Sequence, residues 1–176
     1  MGIGIVVCGL NGSGKSTLGK SLADALGFHF VDSESLFFKK SDSKDTYAFP
    51  RSHKEVNAIL LDEVRGHDNF VFASVKGDYG KDIVPFYKYI VLIYAPKDIR
   101  LQRVKNCSFQ KFGKRILPGG DLYEREKSFF EMVSSRTERD VEEWVRSISC
   151  PIIQIDGTRP IEENINLIIG QMQQNI

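Results

Sequence analysis

Cysteine is scarce in this sequence of 176 residues: Cys8, Cys107 and Cys150 are the only three, widely separated and without a CxxC pair. So sparse and odd a set excludes a disulfide framework and reads as the reduced thiols of a cytosolic protein. Long apolar stretches are missing too, since Ile5 to Cys8 and Ile90 to Ala95 fall far short of a membrane span. No basic segment leads into an apolar one near the start, so no secretory signal is expected. Val6 stands where an N-myristoylation start requires Ser or Thr. Excess charge of one sign is also absent: Lys plus Arg number 24 against 23 for Asp plus Glu, a net +1. No global field favours a polyanion, and neither nucleic acid nor a membrane is expected as a partner. His29, His53 and His67 show no metal-ligand spacing, and no G-x-S-x-G elbow occurs. These absences leave a soluble protein, expected in the cytoplasm.

What is present is ordinary globular material, 41% hydrophobic and 27% charged. The length suits one domain with a core large enough to need no staples. Short β-branched runs alternate with amphipathic segments. Residues 3–8, 28–31, 70–75, 89–95 and 152–155 read as strands. Helices are expected over Ser16–Leu26, closed by Gly27, and from the S-x-x-E capping box at Ser52 to Gly66. Others are expected from Pro96 through Asn106, from Asp121 with a break near Ser134–Thr137, and along the Ile161, Ile165, Ile168, Met172 stripe. Residues 39–50 read as a polar surface excursion and 107–120, ending in Pro118-Gly119-Gly120, as a mobile loop. Cys8, Trp144 and the Phe129-Phe130 pair read as core. Buried strands alternating with helices predict a parallel sheet covered on both faces.

The strongest signal is Gly9-Leu10-Asn11-Gly12-Ser13-Gly14-Lys15-Ser16, which satisfies G-x-x-x-x-G-K-[ST] between a strand and a helix. Glycines let the backbone bend so that its amides approach phosphate oxygens, and the helix start turns its positive dipole end on them. The pattern predicts nucleoside triphosphate binding by Gly9, Asn11, Gly12, Ser13, Gly14, Lys15, Ser16 and Thr17. Lys15 is placed for the β- and γ-phosphates, Ser16 for Mg²⁺, and Thr17 for the α-phosphate.

Neither N-K-x-D of the GTPases nor a Walker-B strand ending in Asp is present, so the carboxylate near Mg²⁺ must come from elsewhere; Asp32, just after the second strand, is best placed, with Glu34 behind it. The P-loop, Asp32-Ser33-Glu34, the basic stretch over 97–115 and the closing Ile155-Asp156-Gly157-Thr158-Arg159-Pro160-Ile161-Glu162-Glu163 resemble the small P-loop kinases. This group includes the adenylate, cytidylate, shikimate and gluconate kinases. The resemblance implies an α/β P-loop fold with a five-stranded parallel sheet in order 2-3-1-4-5. It divides the chain into a core (1–36, 67–100 and 145–176), an acceptor-binding region over 37–66 and a basic lid over about 104–121.

Between Lys97 and Arg115 stand seven basic residues and one acid, Asp98. Guanidiniums there suit charge neutralisation and water exclusion in phosphoryl transfer, and Arg103 and Arg115 are expected over the nucleotide and the transferring phosphate, with Arg100 next. The rival reading is a solvated helix end complementing its dipole. Asp32 and Glu34 suit alignment of an acceptor hydroxyl or a hold on Mg²⁺ through water, against a plain helix-cap role. Arg51 suits an acceptor phosphate or carboxylate. Lys76, in Ala73-Ser74-Val75-Lys76-Gly77-Asp78-Tyr79, is similar to a lysine in the S-A-L-K-x-x-Y stretch of gluconate kinases. Arg125 and Arg136 follow the lid, where relatives use arginines on acceptor or phosphate, and surface ion pairs suit them equally.

The expectation is a small-molecule kinase, monomer or homodimer, with ATP as co-substrate and Mg²⁺ as cofactor. Its acceptor would be a nucleoside monophosphate or a sugar acid or polyol. A nucleotide switch acting on a protein partner stands as the alternative, and an RNA or DNA end kinase as a third, disfavoured by the neutral net charge.

Overall fold

A computed structural model describes residues 2–38, 47 and 49–174. Most of the polar excursion over 39–50 lies outside the described residues. Five strands form one parallel sheet: β1 (Gly4–Cys8), β2 (His29–Asp32), β3 (Phe70–Ser74), β4 (Tyr87–Tyr94) and β5 (Ile152–Asp156), in order β2-β3-β1-β4-β5. The predicted order and parallel sense hold. The helices are α1 (Lys15–Leu26), α2 (Ser33–Phe37), α3 (His53–Gly66), α4 (Lys97–Phe112), α5 (Tyr123–Ser135), α6 (Glu138–Arg146) and α7 (Ile161–Gln174).

Strand periodicity divides the core in two. Val6 and Cys8 of β1 join Phe70, Phe72, Ile90 and Leu92 under α3 and α6, through Val56, Leu60, Val64, Val141, Trp144 and Val145. Ile5 and Val7 face the other way, with Val71, Val91, Ile93, Ile153 and Ile155, against Leu18, Leu22 and Ala23 of α1 and Ile168 and Met172 of α7. The edge strand β5 alternates exposed and buried residues, so it is covered on one face only. The Cys8 thiol, in the first core, is pushed up to about 12 by burial.

Local chemistry sets the helix ends. Gly27, with φ 67°, caps α1 in the left-handed conformation. Ser52 Oγ accepts from the Glu55 amide while Glu55 accepts from the Ser52 amide, the predicted capping box. Ser52→Ala is expected to cost about 1 kcal/mol. That lowers Tm by about 2–4 °C in a chain of this size, measurable by calorimetry.

Two expectations need correction. The loop over 107–120 is largely helical: α4 runs on to Phe112, with a 3₁₀ turn over Gly113–Ile116. No glycine or proline interrupts 97–112, and the first residue able to turn the chain freely is Gly113, with φ 57°. The short α2 was not anticipated; Asp32 Oδ1 caps it by accepting from the Glu34 amide at 2.9 Å.

Candidate nucleotide and acceptor cleft

All five strands end at one side of the sheet, and the turn after central β1 carries the P-loop there. Gly12 adopts φ +80°, and a Cβ on it would run into the carbonyl oxygen of Arg100. Gly14 adopts φ +99° as N-cap of α1, and no side chain caps that helix. The first amides of α1 are therefore left for an anion. Ser13 Oγ is buried with no hydrogen-bond partner among the described residues. A cradle that only glycine fits, closed by an uncapped helix start, fits a polyphosphate.

The P-loop opens into a cleft of about 1050 Å³. Asn11, Lys15, Ser16, Asp32, Glu34 and Lys76 line it, together with Lys111, Arg125 and Arg136. Desolvation pulls the Lys15 ammonium below its ordinary value, and the nearby Arg136 charge adds to that, while Asp32 and Glu34 oppose it. Neither Lys15 nor Lys76 has a hydrogen bond or ion pair among the described residues, which leaves both for ligand oxygens. Arg136 Nη1 donates to Asn11 Oδ1 at 2.7 Å and so joins the α5–α6 junction to the P-loop.

Glu34 is held across the cleft. Lys111 Nζ donates to its Oε1 at 2.8 Å, and the Tyr47 hydroxyl donates to the same oxygen. Burial alone would raise this carboxyl; hydrogen bonds from Lys111 and Tyr47 outweigh it and hold Glu34 below its usual range. Asp32 Oδ1 is committed to capping α2, so Oδ2 is the oxygen that faces new partners. Ser16, and Asp32 through a water, are the residues that would hold Mg²⁺.

Other candidates sit elsewhere. Arg103 Nη1 and Nη2 both donate to Gly157 O at 3.0 Å, with longer contacts from Nη1 to the Gly12 and Ser13 carbonyls. It straps the P-loop to the turn after β5 from outside the cleft. Arg115 pairs with Asp121 at 2.6 Å, also outside the lining. Arg51 Nη1 donates to Leu36 O at 2.6 Å and braces the end of α2. Thr17 is exposed and does not line the cleft, although Ser16 beside it does. Arg100 is 2% exposed, its Nε on Ala95 O, Nη1 on Asn11 O and Nη2 on Glu138. It lies beneath the P-loop as a brace. The continuation of α4 explains these positions, because it carries Lys111 rather than Arg103 into the cleft.

His29, Glu63 and His67 meet at the far end of β2, a cluster with no signature in sequence spacing. His29 Nε2 lies 2.7 Å from Glu63 Oε2, and His67 Nδ1 2.9 Å from Glu63 O. The rings stack at 3.6 Å with 5° between planes. Parallel planes keep the in-plane lone pairs from converging on one ion.

Residues 5–108 match the AAA domain family. The chain belongs to this P-loop family. Over 136 residues it is 32% identical to the shikimate kinase of Gloeobacter violaceus, covering 70% of this chain and 72% of that one. It is 25% identical to the uncharacterized protein YqaC of Bacillus subtilis, over 97% of this chain and 98% of that one. The crystal structure of Acinetobacter baumannii shikimate kinase in complex with shikimate superposes with a TM-score of 0.63 at 16% identity, covering 99% and 95% of the two chains. The expected resemblance to small-molecule P-loop kinases thus holds for family and fold.

Within this P-loop frame, sequence reasoning missed the aromatic part of the cleft. Phe129, expected in the core, is half-buried and lines the cleft instead. Phe37, Phe38, Tyr47, Tyr79 and Phe112 line it as well. One signal was available: Arg125, Phe129, Met132 and Arg136 recur at spacings of four, three and four, so one helical stripe carries charge at both ends and apolar groups between.

Proposed function

We propose that this protein is an ATP- and Mg²⁺-dependent small-molecule kinase. It moves the γ-phosphoryl group of ATP to an acceptor oxygen, either the phosphate of a nucleoside monophosphate or a hydroxyl of a sugar acid or polyol. The observation that carries this reading is the cleft itself. Lys15, unpaired among the described residues, and the carboxylates Asp32 and Glu34 border one open cleft with room for an acceptor.

In the transfer, an acceptor oxygen forms a bond to the γ-phosphorus, the bond from that phosphorus to the β,γ-bridging oxygen breaks, and ADP leaves. A hydroxyl acceptor gives up its proton, and Asp32 Oδ2 is the carboxylate oxygen left to take it; a phosphate acceptor attacks through an oxygen that is already ionised. Mg²⁺, when bound, neutralises charge on the β- and γ-phosphate oxygens. P-loop amides and Lys15 position the triphosphate. Lys76 and Arg136 add positive charge beside the acceptor. Arg103 acts by positioning, since its bonds to Gly157 and the P-loop carbonyls fix the cradle's shape. Arg115 holds the segment after α4 through Asp121. Such catalysis is positioning and electrostatics rather than covalent chemistry.

The test is ADP release from ATP and Mg²⁺ with pooled acceptors: nucleosides, nucleoside monophosphates, sugar acids and shikimate-like polyols. Release stimulated by one pool is the expected result. Tight ATP binding without stimulation by any pool would instead favour the nucleotide-switch alternative.

A further inference from the structure

The cleft wall carries more aromatic surface than charge recognition requires. Phe38 and Tyr47 lie with ring centroids 5.0 Å apart, and Tyr47 meets Phe112 edge-on at 5.7 Å. Cations that also line the cleft lie over two of these rings: Lys111 Nζ is 4.9 Å from the Tyr47 centroid, and the Arg125 guanidinium is 4.9 Å from that of Phe112. A second group, Phe37 against Tyr79 at 6.4 Å, lies at the end of β2 and β3, and Phe129 adds a ring from α5. All six rings are half-buried and line the cleft.

The cations nearest these rings are already engaged. Arg125 Nη2 is 3.1 Å from Glu126, Lys111 is on Glu34, and Arg136 is on Asn11. Among the described residues an acidic polyol's carboxylate finds no unpaired guanidinium beside the rings and would have to rely on Lys76. A flat π-system finds aromatic rings with electron-rich faces and positive edges, and polar groups at the margin.

We infer that the acceptor carries a nucleobase, stacked on this aromatic wall with its reacting oxygen toward Asp32 and Lys15. The inference rests on the kinase reading for its acceptor role and selects nucleosides or their 5′-monophosphates over sugar acids and polyols. Aromatic stacking is sequence-tolerant, so several bases should bind, with Glu34 and Tyr47 placed to discriminate among their edges.

The experiment is calorimetric binding to the full chain with Mg²⁺ and a non-hydrolysable ATP analogue. Its arms are nucleosides, nucleoside 5′-monophosphates, gluconate and shikimate. At least one of the first two arms should bind, and gluconate and shikimate should not. Tighter binding of monophosphates identifies the phosphorylated form as the acceptor; equal binding identifies the nucleoside part as sufficient. Phe112→Leu keeps an apolar side chain and removes the ring, so it should weaken base binding by roughly 5- to 150-fold, the range for losing one stacked base. Phe109→Leu changes an exposed ring on α4 outside the lining and should leave binding unchanged. Binding of gluconate or shikimate alone, binding of none of the four, or an unchanged affinity in a folded Phe112→Leu protein would overturn the inference. Nucleobase binding without phosphoryl transfer would leave the inference standing and remove the kinase reading. Transfer to a polyol alone would do the reverse.

Discussion

Replacing Lys15 with alanine should lower the rate of acceptor phosphorylation by about 100- to 1,000-fold, the usual cost of losing one preorganised charge at a reacting oxyanion. The fold should survive. Lys15 has no ion pair among the described residues, and its charge is held in a desolvated position that pulls its pKa below the ordinary 10.5. Alanine removes that unfavourable burial, so Tm should stay level or rise. The same shift sets two opposed pH trends in the wild type. Between the lowered folded value and 10.5 the unfolded chain binds more protons at this lysine than the folded one, so its contribution to stability increases with pH. Over the same interval the folded protein loses the Lys15 charge, so ATP affinity declines. Lys15→Ala should abolish both slopes. Single-turnover kinetics beside a pH series of thermal unfolding tests the pair, and retained transfer with an intact fold would sink the assigned role.

Arg100→Ala should do the converse, harming the fold first and activity as a consequence. This side chain is 2% exposed, and its loss leaves the carbonyls of Ala95 and Asn11 without a donor and opens a cavity under the P-loop. The ion pair with Glu138 adds little, because that carboxylate is 46% exposed and rehydrates readily. A loss of about 3 kcal/mol follows from the cavity and the unmet carbonyls, and Tm should fall by roughly 6–12 °C. Arg100→Met refills the volume without the donors. It should recover part of the stability while ATP affinity stays low, because Asn11 is no longer anchored from below. Unchanged melting in Arg100→Ala would show that the P-loop does not lean on this residue.

The contrast between these two basic residues shows what the sequence made legible. Lys15 belongs to a contiguous pattern whose chemistry is local: glycines, a helix start and a hydroxyl within eight positions. Such a device can be recognised without knowing anything distant. The parallel sense of the sheet was legible for a related reason, because strands covered on both faces and joined by helices leave few topologies; the strand order came from the resemblance to the small P-loop kinases. Arg100 looked like one more member of a basic cluster, and only packing against a loop 89 residues away makes it structural. The loop expectation failed at Cys107 and Ser108, whose small polar side chains break apolar periodicity although nothing there prevents helix; Ser108 is in fact buried. Phe129 failed in the other direction. Its helical spacing announced a buried stripe, but spacing says nothing about whether the facing surface is a core or a cleft.

The uneven placement of the thiols has a practical consequence. Cys8 is sealed in the sheet with its thiol pushed up to about 12, and burial also raises Cys150. Cys107 is exposed, five residues before Phe112 on the same helix. Alkylating reagents act on the ionised, accessible sulfur, so a fluorophore or spin label would settle on α4 without any engineering. The native chain thus offers a built-in attachment point on the helix that supplies Lys111 and Phe112, from which the occupancy of the neighbouring cleft can be followed by spectroscopy.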